Sequence, residues 1–175
     1  MGRGSRTAVV CVLAAGFVVC LLAGCTSMSP DEKAVRATIE RYNDLLADGY
    51  RALNMSGLRE VASQTQAEDE YVHMSSLAEG GVRLDPALKN LLITDVSVEA
   101  TAAHAQTRET WDYRHYSRAN GNLVLEEKGL VYVLAWDLAK EPSGKWVVTD
   151  VRAISATSTT EPEVLGTITP TPPKQ

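Results

Sequence analysis

The chain has 175 residues, 45% apolar and 22% charged, with a net charge of −5, which fits one modest globular domain and excludes a collagen-like or wholly disordered chain. The acidic balance disfavours nucleic acid and anionic headgroups as partners, because like charge repels both. The composition is uneven: Ala8 to Gly24 carries no charge, and Thr157 to Gln175 is rich in Thr and Pro with few core-forming side chains.

Arg3 and Arg6 lead into the apolar run Ala8 to Leu22, and small residues follow. A positive start, an apolar stretch and a small-residue end form the layout of an export signal, expected over residues 1–24. Its 17 uncharged residues fall short of the roughly 20 that a membrane span needs. The segment closes with Leu22-Ala23-Gly24-Cys25, which resembles the bacterial lipobox. That resemblance implies cleavage between Gly24 and Cys25 and acylation of Cys25, so that the lipid bilayer itself is a partner of the mature protein. Thr26, in place of Asp, implies the periplasmic face of the outer membrane in a Gram-negative source; otherwise the outer face of the cell membrane is implied. Without a lipobox the same run would be an uncleaved N-terminal anchor.

Cleavage has further consequences. It removes Cys11 and Cys20, leaving Cys25 as the single cysteine, so neither an internal disulfide nor a catalytic thiol is expected. It also removes two basic residues and no acidic one, taking the net charge to −7. Residues 25–29 form a lipidated tether that spans at most ~18 Å, holding the domain close to the membrane.

The folded domain is expected over residues 30–156. Ser29-Pro30-Asp31-Glu32 opens a helix: Ser29 accepts from a first-turn amide, Pro30 has no N–H to satisfy, and Glu32 completes a capping box. Val35, Ile39, Tyr42 and Leu46 mark its buried face, and Gly49 weakens its end. A short helix follows at about 57–62, carrying Leu58 and Val61. Ser63 and Gln66 start another, with Ala67, Tyr71, Met74 and Ala78 on one face and Gly80-Gly81 as its stop. After Pro86 the period becomes two: Leu92, Val96 and Val98 alternate with Ile93, Asp95, Ser97 and Glu99. Strands over 103–116, 123–138 and 145–154 complete the series. Helices followed by hairpin-linked strands predict an α+β fold, with N-terminal helices packed on an antiparallel sheet of about four strands.

Asn120-Gly121 reads as a two-residue type I′ loop, whose central residues both need positive φ. Partners across the hairpin then have numbers summing to 241. Trp111 faces Leu130, Tyr113 faces Lys128, Glu109 faces Tyr132, Thr107 faces Leu134, Ala105 faces Trp136, Arg114 faces Glu127 and His104 faces Asp137. Directly opposed residues share a side of the sheet. The core side therefore carries Ala105, Thr107, Glu109, Trp111, Leu130, Tyr132, Leu134 and Trp136.

Helices followed by long antiparallel strands resemble the NTF2-like superfamily. Glu109-Thr-Trp-Asp-Tyr113, Leu130-Val-Tyr-Val-Leu-Ala-Trp136 and Gly144-Lys-Trp-Val-Val-Thr-Asp-Val151 are similar to its closing strands. The resemblance covers about residues 30–156 and implies a sheet curled into a cone around a cavity. It spans ketosteroid isomerases, dehydratases, polyketide cyclases, transport factors and interaction domains, and so implies no single activity.

Glu109 is the catalytic candidate. Turned inward beside Trp111 and Tyr132, it would have its pKa raised by desolvation, as an acid–base catalyst requires; the alternative is a structural carboxylate bonded to Tyr132 or to a helix. His115 shares its face but lies about 20 Å away at strand rise, and the paired Asp/His or Tyr/Asp constellation of the family's enzymes is missing. His73, His104 and His115 lack compact zinc spacing and read as surface or structural residues, so neither a metal nor a cofactor is expected. Thr107, Glu109, Trp111, Leu130, Tyr132, Leu134 and Trp136 are the expected lining of a pocket; ordinary core packing is the alternative. The resulting expectation is a lipid-anchored, non-catalytic envelope module for a protein partner or small apolar ligand, with no nucleic-acid role. The alternative is an isomerase- or dehydratase-like enzyme using Glu109. Residues 157–175 are expected to be a solvated tail.

Overall fold

The computed structural model describes residues 28–158, 160 and 163–165. The expected signal segment, the Gly24/Cys25 junction and most of the Thr/Pro-rich tail lie outside the described residues. Two α-helices, α1 (Pro30–Ala52) and α2 (Gln64–Glu79), are joined through a 3-10 turn at Ser56–Glu60. They cover the concave face of an open, curved antiparallel sheet. Its four long strands, β1 (Val82–Val98), β2 (Ala102–Ser117), β3 (Leu123–Lys140) and β4 (Trp146–Ser158), pair in that order.

α1 starts where its capping residues place it, with the Glu32 amide donating to Ser29 Oγ at 3.0 Å. The expected capping box is half made: the Glu32 carboxylate accepts from Arg36 at 3.1 Å, one turn on. Nor does the helix weaken at Gly49. It continues to Ala52 and ends on Leu53 in the left-handed conformation. Gly49 serves a close approach instead, since a Cβ there would lie 2.3 Å from Met55 Sδ. Val35, Ile39 and Tyr42 are buried against the sheet, with Trp136, Trp146 and Val148 in the same core. The Tyr42 and Trp136 rings meet edge to face at 5.3 Å, a geometry that adds about 0.5–1.5 kcal/mol to the burial of the two rings.

α2 is capped by Ser63, whose hydroxyl accepts from the Gln66 amide at 3.2 Å. Ala67 and Met74 are buried as expected, but Tyr71 is 55% exposed. The inward stripe is instead Gln66, Ala67, Glu70 and Met74, a face that mixes polar with apolar groups and so escapes a search for apolar spacing alone.

β1 begins straight after Gly81 and runs through Pro86. Proline is tolerated here because β1 is an edge strand. The expected inward position of Leu92 is reversed: Leu92 is 53% exposed, whereas Ile93, Val96 and Val98 pack on the core. A bulge between Ile93 and Asp95 inserts one residue, and each inserted residue exchanges the two faces of the strand beyond it.

The β2–β3 hairpin does not have a two-residue loop. Ser117 N donates to Asn122 O at 2.8 Å and Gly121 N to Ser117 O at 2.8 Å, enclosing Arg118 to Gly121. Next to this loop, Tyr116 pairs with Leu123. Two irregularities then insert one residue each into β3, so that Tyr113 pairs with Glu127 and Arg114 with Glu126, rather than with Lys128 and Glu127. From Trp111 inward the pairs are Trp111–Leu130, Glu109–Tyr132, Thr107–Leu134, Ala105–Trp136 and His104–Asp137, the register expected from the sequence. The longer loop and the two bulges offset one another.

β4 continues past residue 156 to Ser158. A two-residue strand, β5 (Glu163–Val164), pairs with Leu125 and Glu126 of β3. The described part of the expected tail therefore lies along the sheet. At the other end of β4, Ser63 N donates to Val148 O and Val148 N to Val61 O, both at 2.8 Å, which closes part of that edge.

Candidate functional site

An open cavity of about 500 Å³ lies between the two helices and the concave face of the sheet, within the ~300–1,000 Å³ range of small-molecule sites. Its floor is built on β2. Alternate residues of a strand share a face, so Thr107 and Trp111 flank Glu109. The Glu109 side chain is buried, at 1% exposure. One of its carboxylate oxygens accepts from Thr107 Oγ1 at 2.8 Å and from Asn43 Nδ2 of α1 at 3.1 Å; the other accepts from Trp111 Nε1 at 2.8 Å. Trp136 Nε1 donates to Thr107 Oγ1 at 2.9 Å, so the Thr107 proton is committed to Glu109. Every group bonded to the carboxylate is a donor, which matches an acceptor-only carboxylate. Its bonds run to the helix and to its own strand, and not to the Tyr132 hydroxyl.

The helices form a second, polar wall. Gln66 Nε2 donates to Tyr42 Oη at 2.8 Å, Tyr42 Oη to Glu70 Oε1 at 3.1 Å and Tyr50 Oη to Glu70 Oε2 at 3.2 Å. His73 Nδ1 lies 2.5 Å from Tyr50 Oη. Gln66, Glu70 and His73 recur at helical spacing on α2, as Tyr42, Leu46 and Tyr50 do on α1. Burial, reinforced by the Glu70 charge, pushes the Tyr42 and Tyr50 hydroxyls well above the ordinary phenol value. Both therefore stay protonated and serve as donors.

The sheet forms the third wall. Tyr113 stacks on Trp111 at 6.0 Å and meets Tyr132 edge to face at 6.5 Å. Burial, with Tyr132 beside it, raises the Tyr113 hydroxyl in the same way. His115 Nε2 lies 2.8 Å from Glu127 Oε2, where the half-buried ends of β2 and β3 reach the opening.

Glu109, Trp111, Tyr132, Leu134 and Trp136 line the cavity. Two other residues expected there do not: Thr107 is wholly buried beneath them, and Leu130 is half-buried off the wall. Two histidines read as surface or structural, His73 and His115, line the cavity, whereas His104 pairs with Asp137 on the outer face at 2.6 Å. Asn43, Tyr50, Glu70, His73 and Glu127 also line the cavity, and sequence pattern does not place them there. One signal was available for Tyr50, because it continues the spacing of Tyr42 and Leu46 beyond Gly49. The α2 residues had none, since which helix faces meet depends on tertiary packing.

No protein-family model matches the chain, and no curated protein matches it significantly. Solved structures do. The intermembrane space region of the chloroplast protein ARC6 aligns with a TM-score of 0.58 at 15% identity, covering 73% of this chain and 97% of that one. An NTF2-like superfamily protein from Salmonella enterica aligns with a TM-score of 0.48 at 13% identity, covering 73% and 92%. A ketosteroid isomerase-like protein from Erwinia carotovora aligns at 0.42 and 16% identity, covering 68% and 95%. What the ARC6 region shares with this chain is the fold, in which helices cover one face of a curved antiparallel sheet. A shared cone does not carry activity with it.

Proposed function

We propose that this chain is a lipid-anchored envelope protein whose cone binds a small, largely apolar molecule without transforming it. The observation that carries the binding reading is the open cavity of about 500 Å³, walled by tyrosine and tryptophan faces and closed at its floor by a carboxylate already held by three donors. In that role Glu109 and its donors shape and polarise the floor, while the aromatic rings supply contact area. The anchoring reading rests on Leu22-Ala23-Gly24-Cys25, and attachment follows from acyl chains contributing about 0.8 kcal/mol per buried CH₂.

Two measurements test this. Native mass spectrometry of the full protein, released from membranes in mild detergent, should show a non-covalent small-molecule adduct. The adduct should be absent from Ala153→Trp, which places an indole on the cavity wall; an adduct retained by the blocked variant, or none on the wild type, removes the binding reading. Metabolic labelling with an alkyne fatty acid should mark the wild type and not Cys25→Ala, and a label that persists in the variant removes the lipobox reading.

A further inference from the structure

The chemistry of the cavity wall narrows what it can hold, and this step rests on the ligand-binding reading above. Among the described residues no lysine or arginine lines the cavity, whereas Glu70, Glu109 and Glu127 do. The neutral donors near them are already committed. Asn43, Thr107 and Trp111 give their protons to Glu109, and Trp136 gives its indole proton to Thr107. Tyr42 and Tyr50 give theirs to Glu70.

The imidazoles follow the same pattern. His73 Nδ1 is engaged by Tyr50 Oη. His115 Nε2 is engaged by the Glu127 carboxylate. The Glu109 oxygen bonded to Trp111 has one further lone pair to offer. The Tyr113 and Tyr132 hydroxyls bond to each other, a contact that uses one of their two protons, so what remains for a ligand is one phenol donor among acceptors and carboxylates, set between aromatic faces. Among the lining residues, anions would meet three carboxylates and no lysine or arginine. A cation would meet negative charge and the electron-rich faces of Trp111, Tyr113 and Tyr132, the arrangement by which aromatic cages hold ammonium groups.

We infer that the occupant is a small organic cation, an amine or quaternary ammonium on an apolar body, and that carboxylic acids, phosphates and sulfonates are rejected. The test titrates the full chain in detergent with three probes of similar size: benzyltrimethylammonium, its neutral isostere neopentylbenzene, and benzenesulfonate. Binding is read by tryptophan fluorescence and calorimetry. The cation should bind at least tenfold more tightly than the neutral isostere, and the sulfonate should not bind. Glu109→Gln should remove most of that preference. Glu127→Gln, at the half-exposed opening, should reduce it severalfold and serves as the second variant should Glu109→Gln fail to fold. Equal or tighter binding of the neutral or anionic probe overturns the ligand class while leaving the binding reading intact. Failure of all three probes, together with no native adduct, removes both.

Discussion

Three tyrosine hydroxyls are placed where a phenolate is costly: Tyr42 and Tyr50 are buried beside Glu70, and Tyr113 is half-buried beside Tyr132. Their folded-state pKa values lie above the unfolded value of about 10. The corresponding stability is thus fully present below pH ~10 and is lost as pH rises beyond it, because the unfolded chain then releases protons that the fold retains. In a spectrophotometric titration these three should contribute no phenolate absorbance near pH 10 and should ionise together with unfolding, with Tyr50→Phe and Tyr113→Phe assigning the delayed signal. Absorbance from Tyr50 or Tyr113 appearing near pH 10 in a still-folded chain would contradict this. Among single residues, the inward turn of Glu109 was readable in the sequence because alternation along β2 has only two outcomes and Trp111 selects one of them. The partners of Glu109 were not readable: Asn43 lies 66 positions away on a helix whose rotation over the sheet depends on packing.

Periodicity places an element where one period runs unbroken and misplaces it where a bulge interrupts. α1 has the caps and spacing of its sequence, whereas β1 changes face at the bulge after Ile93, which a count of alternating residues passes over. The β2–β3 register came out right near Glu109 for a compound reason. A four-residue loop displaced it one way, and two inserted residues in β3 displaced it back. One of those insertions falls beside Gly129, which has φ of +65° and donates its amide to Asp112 Oδ1 at 2.9 Å. Gly129→Ala should therefore cost about 1–2 kcal/mol, the penalty for a side chain in the left-handed region, measured as a lower urea midpoint with an unchanged m-value. No loss would mean that the bulge does not need glycine.

A second element-scale prediction concerns the start of α1. Lys140 and the Trp146 indole both donate to Asp31 Oδ1, at 2.6 and 3.1 Å. The bond from Lys140, followed by that from Trp146, holds the Asp31 carboxyl below its usual value. The resulting stability is present above the unfolded pKa of ~3.9 and is lost as pH falls through the folded value. Wild type should exceed Asp31→Asn in urea midpoint at pH 6, and the gap should close as pH falls below about 4. A gap that does not change with pH would assign the effect to packing rather than charge.

At the scale of the whole molecule, the order of helices then strands was enough to indicate the layers, because an amphipathic helix and a one-sided sheet have few ways to bury their apolar faces together. The cavity was only half legible: its sheet wall follows from alternation, and its helix wall does not. α1 relates that cavity to the proposed anchor. Asp31 is tied to the β3–β4 end of the cone through Lys140 and Trp146. Tyr50, roughly 28 Å further along at helical rise, stands among His73, His115 and Glu127 at the more exposed end. Were Cys25 held in a bilayer, as proposed, a tether of at most ~18 Å would bring the Asp31 end of α1 nearest the lipid and leave the Tyr50 end further from it. Whatever fills the cone would then be captured from the surrounding aqueous phase and not extracted from the leaflet underneath, so the protein would act as a stationary trap for passing solutes.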